Sequence, residues 1–288
     1  MRLDEFDPNT VNVEDQRGSG GGMRMPGRGG QLGCGTLIIA LIAALVFGVD
    51  PTQMLGGLEQ GMPTEQQGSV QGGTSASESC SVDPLSRETC NALSSLNQTW
   101  QPLFEQARIA FTPPRLVFYS QAGQSGCGAA QSAMGPFYCP SDQGIYIDTD
   151  FYREMDSKLG AGGDFARAYV IAHEFGHHIQ TITGISDQIR SAQQQNPSRA
   201  NQLQVRMELQ ADCYAGVWAA RNRDKIEAGD MQEGLNAAHS IGDDTLMKNA
   251  GRRASPESFT HGSSAQRVEA LRQGLQSGDD TVCDAYMR

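Results

Sequence analysis

The sequence predicts a helix-rich α+β domain with a small β-sheet, preceded by one N-terminal transmembrane helix. Three observations lead there. Long stretches with apolar residues at helical spacing fill the second half of the chain, short runs of β-formers precede them, and one uncharged apolar run stands near the N-terminus. With 288 residues, 38% of them hydrophobic and 19% charged, the chain can bury one sizeable core and still carry extra segments.

Residues 1–33 read as a Gly/Arg-rich arm without fixed structure, because Arg17–Gly33 (RGSGGGMRMPGRGGQLG) holds too few apolar side chains to pack. Residues 34–49 read as the transmembrane helix. The run Thr36–Val49 has no charge, and extended back to Leu32 it is just long enough to span a bilayer. Arg2, Arg17, Arg24 and Arg28 precede it, and no Lys or Arg follows until Arg87. The positive-inside rule then puts the N-terminus in the cytoplasm and everything after Asp50 outside, as in a single-pass membrane protein. No small-x-small cleavage site follows the run, which disfavours a signal peptide. Cys34 precedes the apolar segment rather than following it, so it is not a lipoprotein cysteine. Residues 50–83, rich in Gly, Gln and Ser, read as a flexible linker, and residues 84–288 as the globular domain.

Within that domain a helical lead-in is expected over about Leu85–Arg108. Short strands are expected at Arg115–Tyr119 and Gly144–Asp148, bounded by Pro, Gly and Asp, with Tyr146 and Ile147 on an edge where a peptide could add as a further strand. A plain structural hairpin stapled by Cys127 and Cys139 is the equal alternative. Helices are then expected at Phe151–Leu159, Asp164–Thr181, Ser198–Ala228, Met231–Asn249 and Ser264–Ser277, with Gly184 stopping the second.

The run AYVIAHEFGHHIQ contains His173-Glu174-Phe175-Gly176-His177. Positions i and i+4 share a helix face, so His173 and His177 can offer imidazoles to one Zn²⁺, while Glu174 sits beside the metal's open position as a general base. Chance spacing is the bland alternative, but the chain has only five histidines. Downstream, Glu208 can return on a second helix as the third ligand. Asp212, four residues on and on the same face, can accept the N–H of a ligating histidine. The neighbours Leu203, Met207, Leu209, Ala211, Ala215, Val217 and Trp218 argue that this pair is semi-buried rather than solvated.

AYVIAHEFGHHIQ, ELQADCYAGVWA, GPFYCPSDQGIYID and SFTHGSSAQR, together with the N-terminal VEDQRG, resemble the bacterial putative neutral zinc metallopeptidase family, a membrane-anchored, gluzincin-like group. The resemblance covers almost the whole chain. It implies a zincin-like (gluzincin-type) fold and zinc metalloendopeptidase activity, with Zn²⁺ on His173, His177 and Glu208 and Glu174 as base. It implies no substrate beyond a protein or peptide. It also makes His261, ahead of Arg267 in FTHGSSAQR, the best donor to an oxyanion, with His239 its rival and Tyr169 and Tyr214 further possibilities. Arg267 could pair with a carboxylate at the site such as Asp212. His178 points about 100° away from His177 and reads as an outer partner or a surface residue.

A net charge of −11 argues against a nucleic-acid partner, since no basic patch would gather phosphates. Beyond Cys34, six cysteines remain, and they allow fifteen pairings. Cys127 and Cys139 flank a short Gly/Ala/Ser segment and are the bridge to expect first, with Cys80–Cys90 and Cys213–Cys283 the simplest remainder. Two other functions stay open. One is a membrane scaffold with a structural zinc, which an intact Glu174 disfavours; the other is a zinc amidase acting on cell-wall peptides, which the same ligands would serve.

Overall fold

The computed structural model describes residues 1–17 and 75–288. The expected transmembrane helix at 34–49 lies outside them, and no helix among the described residues is long and apolar enough to cross a membrane.

The first ordered element is unexpected. Strand β1, Asn12–Asp15, comes from the arm read as structureless, and it pairs in parallel with β2, Arg115–Phe118. Arg17 pins the end of this arm. It reaches Asp15 Oδ2 at 2.6 Å, the Ser86 hydroxyl at 2.6 Å and the Ser79 carbonyl at 2.7 Å, and stacks its guanidinium over the Phe118 ring. The last residues of the expected linker form α1, Ala76–Cys80, opened by a Ser75–Glu78 capping box.

Helix α2, Pro84–Ala107, follows, tied to α1 by Cys80–Cys90. A hairpin comes after β2: β3, Ala122–Ser125, and β4, Gly128–Gln131, antiparallel. Strands β5, Phe137–Cys139, and β6, Gly144–Ile147, complete the main sheet, whose order is β1-β2-β6-β5. Tyr146 and Ile147 therefore lie on an interior strand, and β1 and β5 are the edges. The reason is that β2 takes one side of β6 in parallel and β5 the other in antiparallel. Cys127–Cys139 bridges the hairpin to β5.

Helices form the rest: α3, Asp150–Leu159; α4, Asp164–Ile182; α5, Ile185–Gln195; α6, Ala200–Arg221; α7, Asp230–Ser240; α8, Asp243–Asn249; and α9, Ser264–Ser277. The expected Ser198–Ala228 helix stops at Arg221, and Met231–Asn249 divides in two at Ile241–Gly242. Space explains that break. A Cβ on Gly242 would lie 2.3 Å from the Ser264 nitrogen, so the turn is pressed against the start of α9. Helix α4 is buried along most of its length, against α2, α6 and α7. Trp100 of α2 meets Tyr214 of α6 edge-on at 5.3 Å, and Cys213–Cys283 ties α6 to a 3₁₀ segment, Asp280–Met287.

Candidate metal centre

Helices α4 and α6 cross where one carries a glycine. A Cβ on Gly176 would stand 2.8 Å from the Ala211 Cα, so only glycine lets these backbones approach so closely. The approach brings the His173/His177 face of α4 onto the Glu208/Asp212 face of α6.

The result is a cluster in which one ligand atom from each of His173, His177 and Glu208 lies within 4.8 Å of the others. Glu208 Oε2 is 3.2 Å from His173 Nε2 and 3.6 Å from His177 Nε2. Ligands of one tetrahedral zinc sit about 2.0–2.1 Å from the ion, hence about 3.3 Å from each other. Spacing and donor types both fit Zn²⁺, and all three side chains are largely shielded from solvent. Without a metal, burial alone would raise the Glu208 carboxyl, but the two histidines hold it well below the usual range. Burial opposes protonation of His173, yet Asp212 and Glu208 raise it to about 9, so a metal entering this site displaces a proton.

Behind His173 stands an ionic array. Its Nδ1 is 2.8 Å from Asp212 Oδ1, which also accepts from the Tyr169 hydroxyl at 2.6 Å. Arg267 donates Nε–H to Asp212 Oδ2 at 2.8 Å and an Nη2–H to Oδ1 at 2.9 Å, the bidentate geometry that suits a carboxylate. Asp212 has no exposed surface and Arg267 almost none. Burial would push Asp212 up, but Arg267 and His173 bring it down to about 2.

Behind His177 the partner is neutral. Its Nδ1 is 2.8 Å from Gln180 Oε1. Glu174, also buried, lies beside the cluster. Burial raises its carboxyl above the usual range, and the two histidines offset part of that rise.

His261 is buried, and a Cβ on the next residue, Gly262, would lie 3.2 Å from Val205 and 3.4 Å from Leu209, which flank Glu208 on α6, so His261 stands near the cluster. Asp243 of α8 holds it there. Asp243 Oδ2 accepts the backbone N–H of Thr260 and His261 at 2.7 Å each and that of Gly262 at 3.2 Å, while Oδ1 lies 3.2 Å from His261 Nδ1. The other possible donors fall away. His239 is exposed at the end of α7, Tyr169 is committed to Asp212, and Tyr214 packs on Trp100. His178 is not at the surface: it is fully buried, with Nε2 2.6 Å from the Thr112 carbonyl and Nδ1 3.1 Å from the Tyr138 hydroxyl of β5. Burial pushes its imidazole down to about 4. A second carboxylate group, Asp164, Asp230 and Glu233, is engaged by the Met1 ammonium, 2.7 Å from Asp164 and 2.8 Å from Asp230.

Sequence reading missed Gln180, Gln210 and Asp243. Gln180 carries a faint signal, three residues after His177 and so on a neighbouring face of one helix. Gln210 and Asp243 carry none.

An imidazole pair on one helix, a carboxylate from a second helix and a further buried carboxylate at their side form a group that could hold a metal ion, on an α+β frame. The chain belongs to the putative neutral zinc metallopeptidase family, which it matches over residues 4–286. It is similar to the uncharacterized protein YpfJ of Escherichia coli (strain K12), with 45% identity over 282 residues, 96% of this chain and 95% of that one. It is also similar to the uncharacterized protein Rv2575 of Mycobacterium tuberculosis, 37% identical over 260 residues, 84% of this chain and 85% of the relative. No solved structure matches it.

Proposed function

We propose that the protein is a zinc-dependent metallopeptidase that hydrolyses peptide bonds, with His173, His177 and Glu208 holding the ion. The observation that carries this reading is the placing of Glu174. A buried carboxylate with a raised pKa beside a three-ligand cluster suits a group that takes and returns a proton, and a purely structural metal site has no use for one. Bound there, Zn²⁺ supplies a Lewis acid that polarises a carbonyl and makes water a nucleophile near neutral pH. Glu174 removes the proton from the attacking water and hands it to the leaving amine. His261, oriented by Asp243, donates an N–H to the oxygen that gains charge. Asp212, Arg267 and Tyr169 hold the ring of His173.

The substrate in this reading is a protein or peptide. The three disulfides support an oxidising compartment outside the cytoplasm. Anchorage to a bacterial membrane rests on the apolar run at 34–49.

Terminal-peptide mass spectrometry of membrane and secreted proteins, run beside zinc analysis of the purified chain, tests the reading. Glu174→Gln is expected to keep its zinc and lose hydrolysis by about 100-fold or more, and His177→Ala to lose the zinc itself. Full hydrolysis by Glu174→Gln would sink the mechanism. Zinc binding with no difference in any terminus would favour a scaffold, and new termini confined to cell-wall peptides would favour an amidase.

A further inference from the structure

We infer that Gln180 is the positioning residue of the second histidine, fixing which nitrogen of His177 faces the metal and tying that ring to the stretch of backbone that carries Glu208. The inference rests on the reading of His173, His177 and Glu208 as zinc ligands.

Gln180 has no exposed surface, so each end of its amide needs a partner inside the protein. Its Nε2 is 2.8 Å from the Met207 carbonyl and 3.1 Å from Gln210 Oε1. The Met207 carbonyl can only accept, so Nε2 must face it and Oε1 must face His177, 2.8 Å away. The opposite orientation would set two carbonyl oxygens against each other. With Oε1 as acceptor, His177 carries its proton on Nδ1, and the lone pair on Nε2 points to the Glu208 side, 3.6 Å from Oε2. One amide thus sets the tautomer of one ligand and grips the chain one residue before another.

Gln210 steadies the arrangement. It too is fully buried, and its Nε2 reaches the Cys283 carbonyl at 3.4 Å, in the segment held to α6 by Cys213–Cys283. The array therefore runs from the C-terminal 3₁₀ segment through two amides to a metal ligand, without a charge at any point.

The test uses the purified full-length chain and two variants, Gln180→Leu and Gln180→Glu, titrated with zinc against a chromophoric chelator. Leucine fills the space with no acceptor for His177, and zinc binding is expected to weaken about 10- to 100-fold. Glutamate restores the acceptor and is expected to recover most of that loss. Its buried carboxylate faces the Met207 carbonyl, however, so the metal-free protein is expected to unfold at a lower temperature than the leucine variant. A role in packing alone would make zinc affinity and metal-free stability fall in the same order; positioning makes the two orders cross. Unchanged zinc binding in Gln180→Leu, or equal weakening in both variants, would overturn the inference. Nitrogen-15 NMR of the unaltered, zinc-loaded chain needs no variant. It should show His177 protonated at Nδ1 and metal-bound at Nε2, and the reverse would also overturn it. An unaltered chain that binds no zinc would instead overturn the zinc-site reading on which the inference stands.

Discussion

His173 and His177 stand one turn apart on α4 and point their Nε2 atoms at the same Glu208 oxygen, yet what lies behind them differs in kind. His173 is backed by a carboxylate neutralised by a bidentate guanidinium, His177 by an amide that leans on a second amide. A buried carboxylate without a counter-charge costs several kcal/mol, so Asp212 requires Arg267, and Arg267 in turn brings α9 into the site. A buried amide requires only correctly oriented partners, and α4 and α6 supply those. The charged flank thus reaches across three helices and the neutral one across two plus a disulfide-held segment. One histidine is held by a strong network that fails badly when broken, the other by a modest network that fails gently.

The largest expected effect separates the two flanks directly. Arg267→Met strands Asp212 in the interior and should destabilise the metal-free protein by about 3–5 kcal/mol in denaturant unfolding. Adding Asp212→Asn should recover most of that loss. The asparagine amide oxygen can still accept from the Tyr169 hydroxyl and the His173 Nδ1–H, and the ionic flank then resembles the neutral one. A double variant as unstable as Arg267→Met alone would mean that packing of the arginine, not charge, holds this side.

Acid offers a second, smaller separation. The Asp212 carboxyl is held at about 2, below the usual 3.8. A depressed carboxylate contributes stability that is fully present above its unfolded pKa and is lost as pH falls through the folded one. Metal-free wild type should therefore lose on the order of 2 kcal/mol between pH 4 and pH 2 that the Arg267→Met/Asp212→Asn double variant does not lose. Many carboxylates titrate in that window, so the difference between the two proteins carries the information. The Gln180 flank has nothing to titrate there. Parallel pH profiles would refute the claim that Asp212 enters the fold ionised.

The same contrast governs what could be read from the sequence. His173, Glu174, His177, Glu208, Asp212 and Arg267 were legible because charged or metal-binding side chains in an apolar helix demand an explanation. Gln180 and Gln210 were not, since glutamine is unremarkable on any helix and its importance here comes from burial. Asp243 stayed hidden because its work is to accept three backbone N–H groups from a loop seventeen to nineteen residues away in sequence. Among the elements, α9 matched over Ser264–Ser277 because its start carries a local signal, the Ser263–Gln266 capping box. Helix α5 was missed because Gly184 reads as a stop, and its left-handed backbone both closes α4 and opens the next helix. Strand β1 is Asn-Val-Glu-Asp, with one apolar β-former, and β5 has only three residues, so neither registers, and pairing with β2 and β6 makes them strands.

The smallest expected effect probes how far the neutral flank extends. Gln210→Met removes the hydrogen bond to the Cys283 carbonyl and the acceptor for one Gln180 N–H. It adds no charge, and methionine fills nearly the same volume. The remaining Gln180 N–H still has the Met207 carbonyl at 2.8 Å, so the orientation of that amide, and with it the His177 tautomer, should survive. The expected cost is about 1 kcal/mol in metal-free stability, with zinc affinity close to wild type by chelator competition. If zinc affinity instead fell as far as in Gln180→Leu, the neutral flank would be one cooperative unit reaching to Cys283. The two histidines would then differ in the charge behind them and no longer in how readily their supports fail.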